Sequence, residues 1–100
     1  MIELRRAPGV LTISGHAGYA PPGRDIVCAG VSALVQTFLQ SVAELTGDTL
    51  RYELSPGLAQ IRYGKLSEPS RVLLASLLIG MRMLSEAYPQ YIRIDQALKS

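Results

Sequence analysis

The sequence predicts an α+β fold, a mainly antiparallel sheet with two helices packed on one face, in the order ββαββαβ. Three observations carry that prediction. Short segments of alternating apolar and polar residues come in pairs, each pair joined through a Pro-Gly turn at 8–9 or 56–57. Two longer stretches repeat their apolar residues every three or four positions, the period of a helix with one buried stripe. A last short alternation follows Pro89. The chain of 100 residues has the length of one domain, 1–100, with no internal repeat, low-complexity tract or linker to divide it.

Residues 2–6 form the first strand, and Ala7, Pro8 and Gly9 turn the chain. Leu11 and Ile13 alternate with Val10, Thr12 and Ser14 in a second strand that runs straight into Gly15 and His16. Ala20, Pro21, Pro22, Gly23 and Arg24 are loop residues, since paired prolines and a glycine disfavour regular structure. Asp25 stands at the N-cap of a helix whose seam is Val27, Val31, Leu34, Phe38, Val42 and Leu45, with Gly47 as its C-cap. Leu50, Tyr52 and Leu54, then Ala59, Ile61 and Tyr63, supply the apolar sides of a second hairpin with one buried face. Ser67 caps a helix over 69–87 that has proline in its first turn. That helix is apolar nearly all round, with Val72, Leu73, Leu74, Leu77, Leu78, Ile79, Met81, Met83 and Leu84, so it is expected to be buried or to lie at a subunit interface. Pro89 stops it, 91–94 is a closing strand, and 95–100 is a polar tail.

At 48% hydrophobic and 18% charged residues the chain is globular rather than disordered. Its mean hydropathy of +0.20 is high for a small soluble domain, and a homodimer is the expected cover for surplus apolar surface. A net charge of +2, spread over ten basic and eight acidic residues with no Lys/Arg block, gives no electrostatic footprint for nucleic acid. One cysteine cannot close an internal disulfide, which excludes a disulfide scaffold. The first residues include Glu3 and lack the apolar core of a signal peptide. The apolar run at 72–81 is far shorter than the ~20 residues of a membrane span. The expected setting is the cytoplasm, with no membrane partner.

The single histidine and the single cysteine stand twelve residues apart, His16 in a glycine-flanked turn and Cys28 in the first turn of the helix that Asp25 caps. An unpaired cysteine at a helix start is commonly a small buried hydrophobe, and a lone turn histidine is commonly a solvated side chain. The functional reading rests on position. Unpaired N–H groups and the dipole at a helix N-terminus favour a thiolate, and backbone N–H groups near Cys28 and in the Gly15–Gly18 turn are expected to hold the oxyanion. A histidine beside such a helix start can take the thiol proton and return one to a leaving amine. Gly15 and Gly18 leave room around the imidazole for a substrate backbone. Asp25 has two competing roles, the helix cap and the group that orients His16.

Other chemistries fit less well. One histidine and one cysteine supply two of the four ligands of a structural zinc, with no carboxylate cluster for the rest, so no metal and no cofactor are expected. Residues 15–18 match the GxxG of nucleic-acid-clamping loops, but such a loop joins two helices and is basic, whereas this one follows a strand and carries no Lys or Arg. Tyr52, Tyr63, Tyr88 and Tyr91 read as half-buried sheet and helix-end residues rather than base-stacking platforms. No direct contact with nucleic acid is expected.

The run GHAGYA, a short glycine-containing loop, then DIVCAGVSALVQT resembles the signature of the ribosomal-processing cysteine protease family, the Prp or YsxB-like proteins. Length and element order extend the resemblance over nearly the whole chain. It implies a cysteine endopeptidase in which His16 is general base and acid and Cys28 the nucleophile. Asp25 matches the family's aspartate three residues before the cysteine, and Ser32 its serine four residues after. The resemblance also implies a homodimer, and a loop between His16 and Cys28 that orders on substrate binding. The implied substrate is a short N-terminal extension of large-subunit ribosomal protein twenty-seven, cut after a hydrophobic, aromatic-containing stretch in support of ribosome assembly.

The chain departs from the family pattern in three places. Pro21 and Pro22 are stiffer than the polar residues usual there, and Arg24 replaces a common acid. Gly30 stands where alanine is usual, which costs up to ~1 kcal/mol of helix stability while giving a substrate close access. A non-catalytic ribosome- or RNA-associated binding module of the same fold is the alternative reading.

Overall fold

The computed structural model describes residues 1–21 and 23–95 of the chain. Seven elements follow in the expected order: β1 (Ile2–Ala7), β2 (Val10–Ser14), α1 (Ile26–Leu45), β3 (Arg51–Ser55), β4 (Leu58–Arg62), α2 (Glu68–Ala87) and β5 (Ile92–Ile94). Of the expected polar tail, all but Asp95 lies outside the described residues. The strands form one sheet in the order β3-β4-β2-β1-β5. Neighbours are antiparallel except β1 and β5, which run parallel.

The register puts Leu4, Leu11, Ile13 and Ile61 of the inner strands on one face. Leu4 lies opposite Ile13 and Ile94, and Leu11 opposite Ile61. That face meets the seam of α1, which buries Val27, Val31, Val35, Phe38, Leu39 and Val42, and the stripe of Leu74, Leu77 and Met81 on α2. The result is a two-layer domain with its core between sheet and helices. The open face is polar: Glu3 sits between Arg5 and Arg93, at 2.6 and 2.7 Å.

Four expectations need correction. Gly47 is not a left-handed C-cap; Thr46 caps α1 in an extended conformation, and its hydroxyl donates to the Val42 carbonyl at 2.8 Å. A side-chain donor thus satisfies the helix end that a glycine turn would otherwise close. The Asp48 carboxylate then accepts from both the N–H and the hydroxyl of Ser67, so the cap residue of α2 spends its side chain on the neighbouring loop instead of on its own helix. The second correction concerns β3, whose five residues are all exposed. It is an edge strand, and Tyr52 (55% exposed) and Leu54 (47%) protrude from it beside α1 rather than beneath it.

The third is α2, which is not buried all round. Only Ser70, Leu74, Leu77 and Met81 are buried, while Val72, Ile79 and Met83 face outward. An outer-layer helix has only one side to bury, so its second apolar side is left at the surface. The fourth concerns membrane length. Residues 72–81 are too short to span, but α1 is long and apolar enough by length and composition. Its apolar character is explained here by a seam packed on the sheet.

Candidate active site

The site forms where β2 ends and α1 begins. Asp25 is the N-cap of α1: one carboxylate oxygen accepts from the N–H groups of Val27 and Cys28, each at 3.0 Å. The other oxygen accepts from Tyr19 N–H at 3.0 Å. These bonds, that from Cys28 first, hold the Asp25 carboxyl below its ordinary pKa. Of the two roles open to Asp25, the structure assigns the cap; both oxygens are committed to backbone donors and neither meets His16.

Cys28 is the third residue of α1 and half-buried. Because its own N–H is taken by Asp25, that group is not free for an oxyanion, contrary to the expectation for the helix start. The donor at the sulfur comes from the preceding turn: Ala17 N–H points to Cys28 Sγ at 3.4 Å. Ala17 is 4% exposed, so its peptide is anchored in the core and aims this N–H from a fixed base. Ala17 lies in the Gly15–Gly18 turn whose N–H groups the sequence offers for the oxyanion. That its N–H in particular faces the sulfur is not legible there, because main-chain groups are the same in every residue.

His16 is exposed, and its ring borders the same cleft as Cys28. Among the described residues no direct hydrogen bond joins thiol and ring. The cleft, of about 380 Å³, is lined by His16, Cys28 and uncharged residues. Gly15 is part of its wall, and a side chain there would collide with the Met1 carbonyl. Ser32, one turn after Cys28, is also in the wall and accepts from Gln36 Nε2 at 2.7 Å. Gly18 does not line the cleft. Gly30 turns away from it, toward Leu84 of α2, so it gives a substrate no access.

The far wall is the β3–β4 turn with Leu54, Ser55, Pro56 and Gly57. Its Pro-Gly pair marked a hairpin in the sequence, but not that the hairpin would close on His16. Leu54 and Gln36 also border a second groove of about 460 Å³, which continues between α1 and β3 past Tyr52 and Leu39. The loop over 15–25 is tied down at its crest by Tyr19, whose ring meets Tyr88 and Tyr91 edge-on at 5.7 and 5.3 Å. Arg24 N–H closes back on the Pro21 carbonyl at 3.0 Å. Among the described residues no three His, Cys, Asp or Glu side chains come together as metal ligands would.

A thiol at a helix start, contacted by a backbone donor and sharing an uncharged cleft with an imidazole, puts this α+β chain among the cysteine peptidases. The sequence profile of the family described as cysteine protease Prp matches residues 6–93, and the chain belongs to that family. It is 32% identical over 107 aligned positions to the ribosomal processing cysteine protease Prp of Mycoplasma pneumoniae, covering 99% of this chain and 98% of that one. The Staphylococcus aureus protein of the same name is 28% identical over 86 positions, covering 83% and 81%. Among solved structures, the fold is similar to that of the essential ribosomal processing protease Prp from S. aureus with a covalently linked product peptide. That match has a TM-score of 0.90 at 24% identity and covers 95% of this chain and 98% of the other. Family membership favours the peptidase over the binding module that the sequence left open.

Proposed function

We propose that this chain is a cysteine endopeptidase in which His16 and Cys28 are the catalytic pair. The observation that carries the reading is the Ala17 N–H directed at Cys28 Sγ inside the cleft that His16 borders. His16 takes the thiol proton and the sulfur attacks the peptide carbonyl carbon, giving a tetrahedral oxyanion bonded through Sγ. Ala17 N–H, already at the sulfur, is the donor placed to meet that oxygen. Collapse breaks the C–N bond as His16 gives its proton to the departing amine. Water then adds to the thioester with His16 as base, and the C–S bond breaks to release the acid and restore the thiol.

The shape and polarity of the cleft support an extended apolar peptide as substrate. The cleft and its continuation along α1 and β3 carry Leu54 and Tyr52 at alternate positions, the spacing of side chains on one face of an extended strand. Among the described residues no strand pairs with the outer edge of β3, which supports strand-like pairing by the peptide backbone. The relatives' names support a substrate in ribosomal processing; the one proposed, from the family resemblance of the sequence, is the N-terminal extension of large-subunit ribosomal protein twenty-seven, processed in the cytoplasm.

The outward side of α2, with Val72 and Met83 each 62% exposed and Ile79 beside them, supports a homodimer that covers it. Replacing Ile79 and Met83 by glutamate gives a monomer by sedimentation at micromolar concentration; an unchanged assembly state rejects that interface.

The decisive experiment for activity uses a precursor peptide bearing the apolar extension. Cys28→Ala abolishes its cleavage while preserving the fold and peptide binding, and Cys28→Ser is nearly as inactive. Wild-type turnover by Cys28→Ala would remove the mechanism.

A further inference from the structure

We propose that Gly57, in the turn between β3 and β4, is the positioning residue for His16. The proposal rests on the reading of His16 and Cys28 as the catalytic pair. Gly57 lies forty-one residues beyond His16 in the chain, yet a Cβ placed on it would stand 2.7 Å from His16 Nε2, 3.2 Å from Cε1 and 3.3 Å from Cδ2. Non-bonded heavy atoms rest at about 3.5–4.0 Å, so the edge of the ring occupies the space that any side chain at 57 would claim. The same residue holds the backbone that carries the ring, because the Gly57 carbonyl accepts Gly15 N–H at 2.8 Å.

On the other side of His16 the chain is also held. Ala17 is buried and its N–H is directed at Cys28 Sγ. The backbone around the imidazole is therefore anchored on one side to the β3–β4 turn and on the other to the nucleophile.

A catalytic imidazole is ordinarily oriented by a hydrogen-bonded carboxylate or amide. Here Asp25 is committed to three backbone donors, and the His16 ring makes no hydrogen bond among the described residues. Orientation is left to packing, and the bare Cα of Gly57 is the surface that supplies it. Gly57 has φ +76°, so glycine is required there twice, for its backbone conformation and for the space it leaves.

The two requirements are separated by comparison with Gly9. Gly9 is also a hairpin-turn glycine, with φ +72° and a Cβ position only 2.9 Å from the Tyr63 carbonyl oxygen, but it lies at the other end of β2. Gly57→Ala and Gly9→Ala are compared with wild type for peptide cleavage and for the pH profile of Cys28 alkylation by iodoacetamide. Gly57→Ala is expected to lower kcat about 10- to 100-fold with little change in KM, and to move the alkylation profile toward that of His16→Ala. Gly9→Ala is expected to keep wild-type kinetics. Gly57→Ala with the kinetics and profile of Gly9→Ala overturns the proposal.

If Gly57→Ala does not fold, a stability cycle decides. With the ring removed in His16→Ala, adding Gly57→Ala is expected to lower Tm no more than Gly9→Ala does. The same destabilisation with and without His16 overturns the proposal. A wild-type Cys28 that reacts no faster than in His16→Ala would reject the catalytic reading itself, and this proposal with it, so the two failures are told apart.

Discussion

The Asp25 carboxylate that caps α1 also receives Tyr19 N–H at 3.0 Å, so one side chain joins the helix start to the loop that leads from His16. Its carboxyl is held below the ordinary value, chiefly by Cys28 N–H and then by Tyr19 and its neighbours. A carboxylate depressed in the folded state contributes stability that is fully present above its unfolded pKa of about 3.9 and is lost as pH falls through the folded value. Wild type is therefore expected to have a higher Tm than Asp25→Asn at neutral pH, with the gap closing below pH ~4. Thermal melts from neutral to strongly acid pH check this, and a gap of constant size would reject it. Glu3, held down by Arg93 and Arg5, and Asp48, held down by Ser67 and Ser70, add acid sensitivity of the same sign.

Leu54 stands in both the catalytic cleft and the groove along β3. Leu54→Asp is expected to raise KM for an apolar peptide about tenfold or more, since burying such a side chain against its partner contributes roughly 1.5–3 kcal/mol. Alkylation of Cys28 by a reagent as small as iodoacetamide is expected to stay at the wild-type rate. Unchanged KM would show that the substrate does not lie against β3.

Tyr19 binds the loop crest to Tyr88 and Tyr91 through two edge-on ring contacts, each contributing about 0.5–1.5 kcal/mol beyond area burial. Tyr19→Ala is expected to speed tryptic cleavage after Arg24, while Tyr19→Phe retains the wild-type rate. Equal rates for Tyr19→Ala and wild type would mean that the rings do not restrain the loop.

Gly30 and Gly80 sit within α1 and α2 and face the opposite helix at different clearances. A Cβ at Gly30 would make an ordinary contact with Leu84 at 3.5 Å, whereas at Gly80 it would press on Leu34 at 2.9 Å. Gly30→Ala is expected to stabilise by about 0.5–1 kcal/mol through helix propensity. Gly80→Ala gains the same propensity but must displace Leu34, and is expected to fall below Gly30→Ala in urea-melt stability. The reverse order would contradict the packing described between the helices.

Much of this was legible along the chain. Alternation and three-to-four spacing identified all seven elements, because each depends on which face of a short segment is apolar. Asp25 announced the start of α1 through cap chemistry that spans three residues, and the Cys28 position in the first turn followed from it. What sequence periodicity could not tell is which apolar faces find a partner. Tyr52 and Leu54 alternate as a buried strand would, yet the sheet order leaves β3 at an edge beside the groove. Val72 and Met83 belong to a helix with a second apolar side because only one side of an outer layer meets the core.

The sequence by itself determined the order of the elements, the helix N-caps Asp25 and Ser67, and the pairing of one histidine with one cysteine as the chemistry to look for. These depend on contacts within a few residues and on residue type. The tertiary structure decided which main-chain N–H of the Gly15–Gly18 turn faces the sulfur, that of Ala17, and that Gly57 backs the imidazole. Both depend on where the main chain runs relative to another segment, which the residue types and spacings along one stretch do not report.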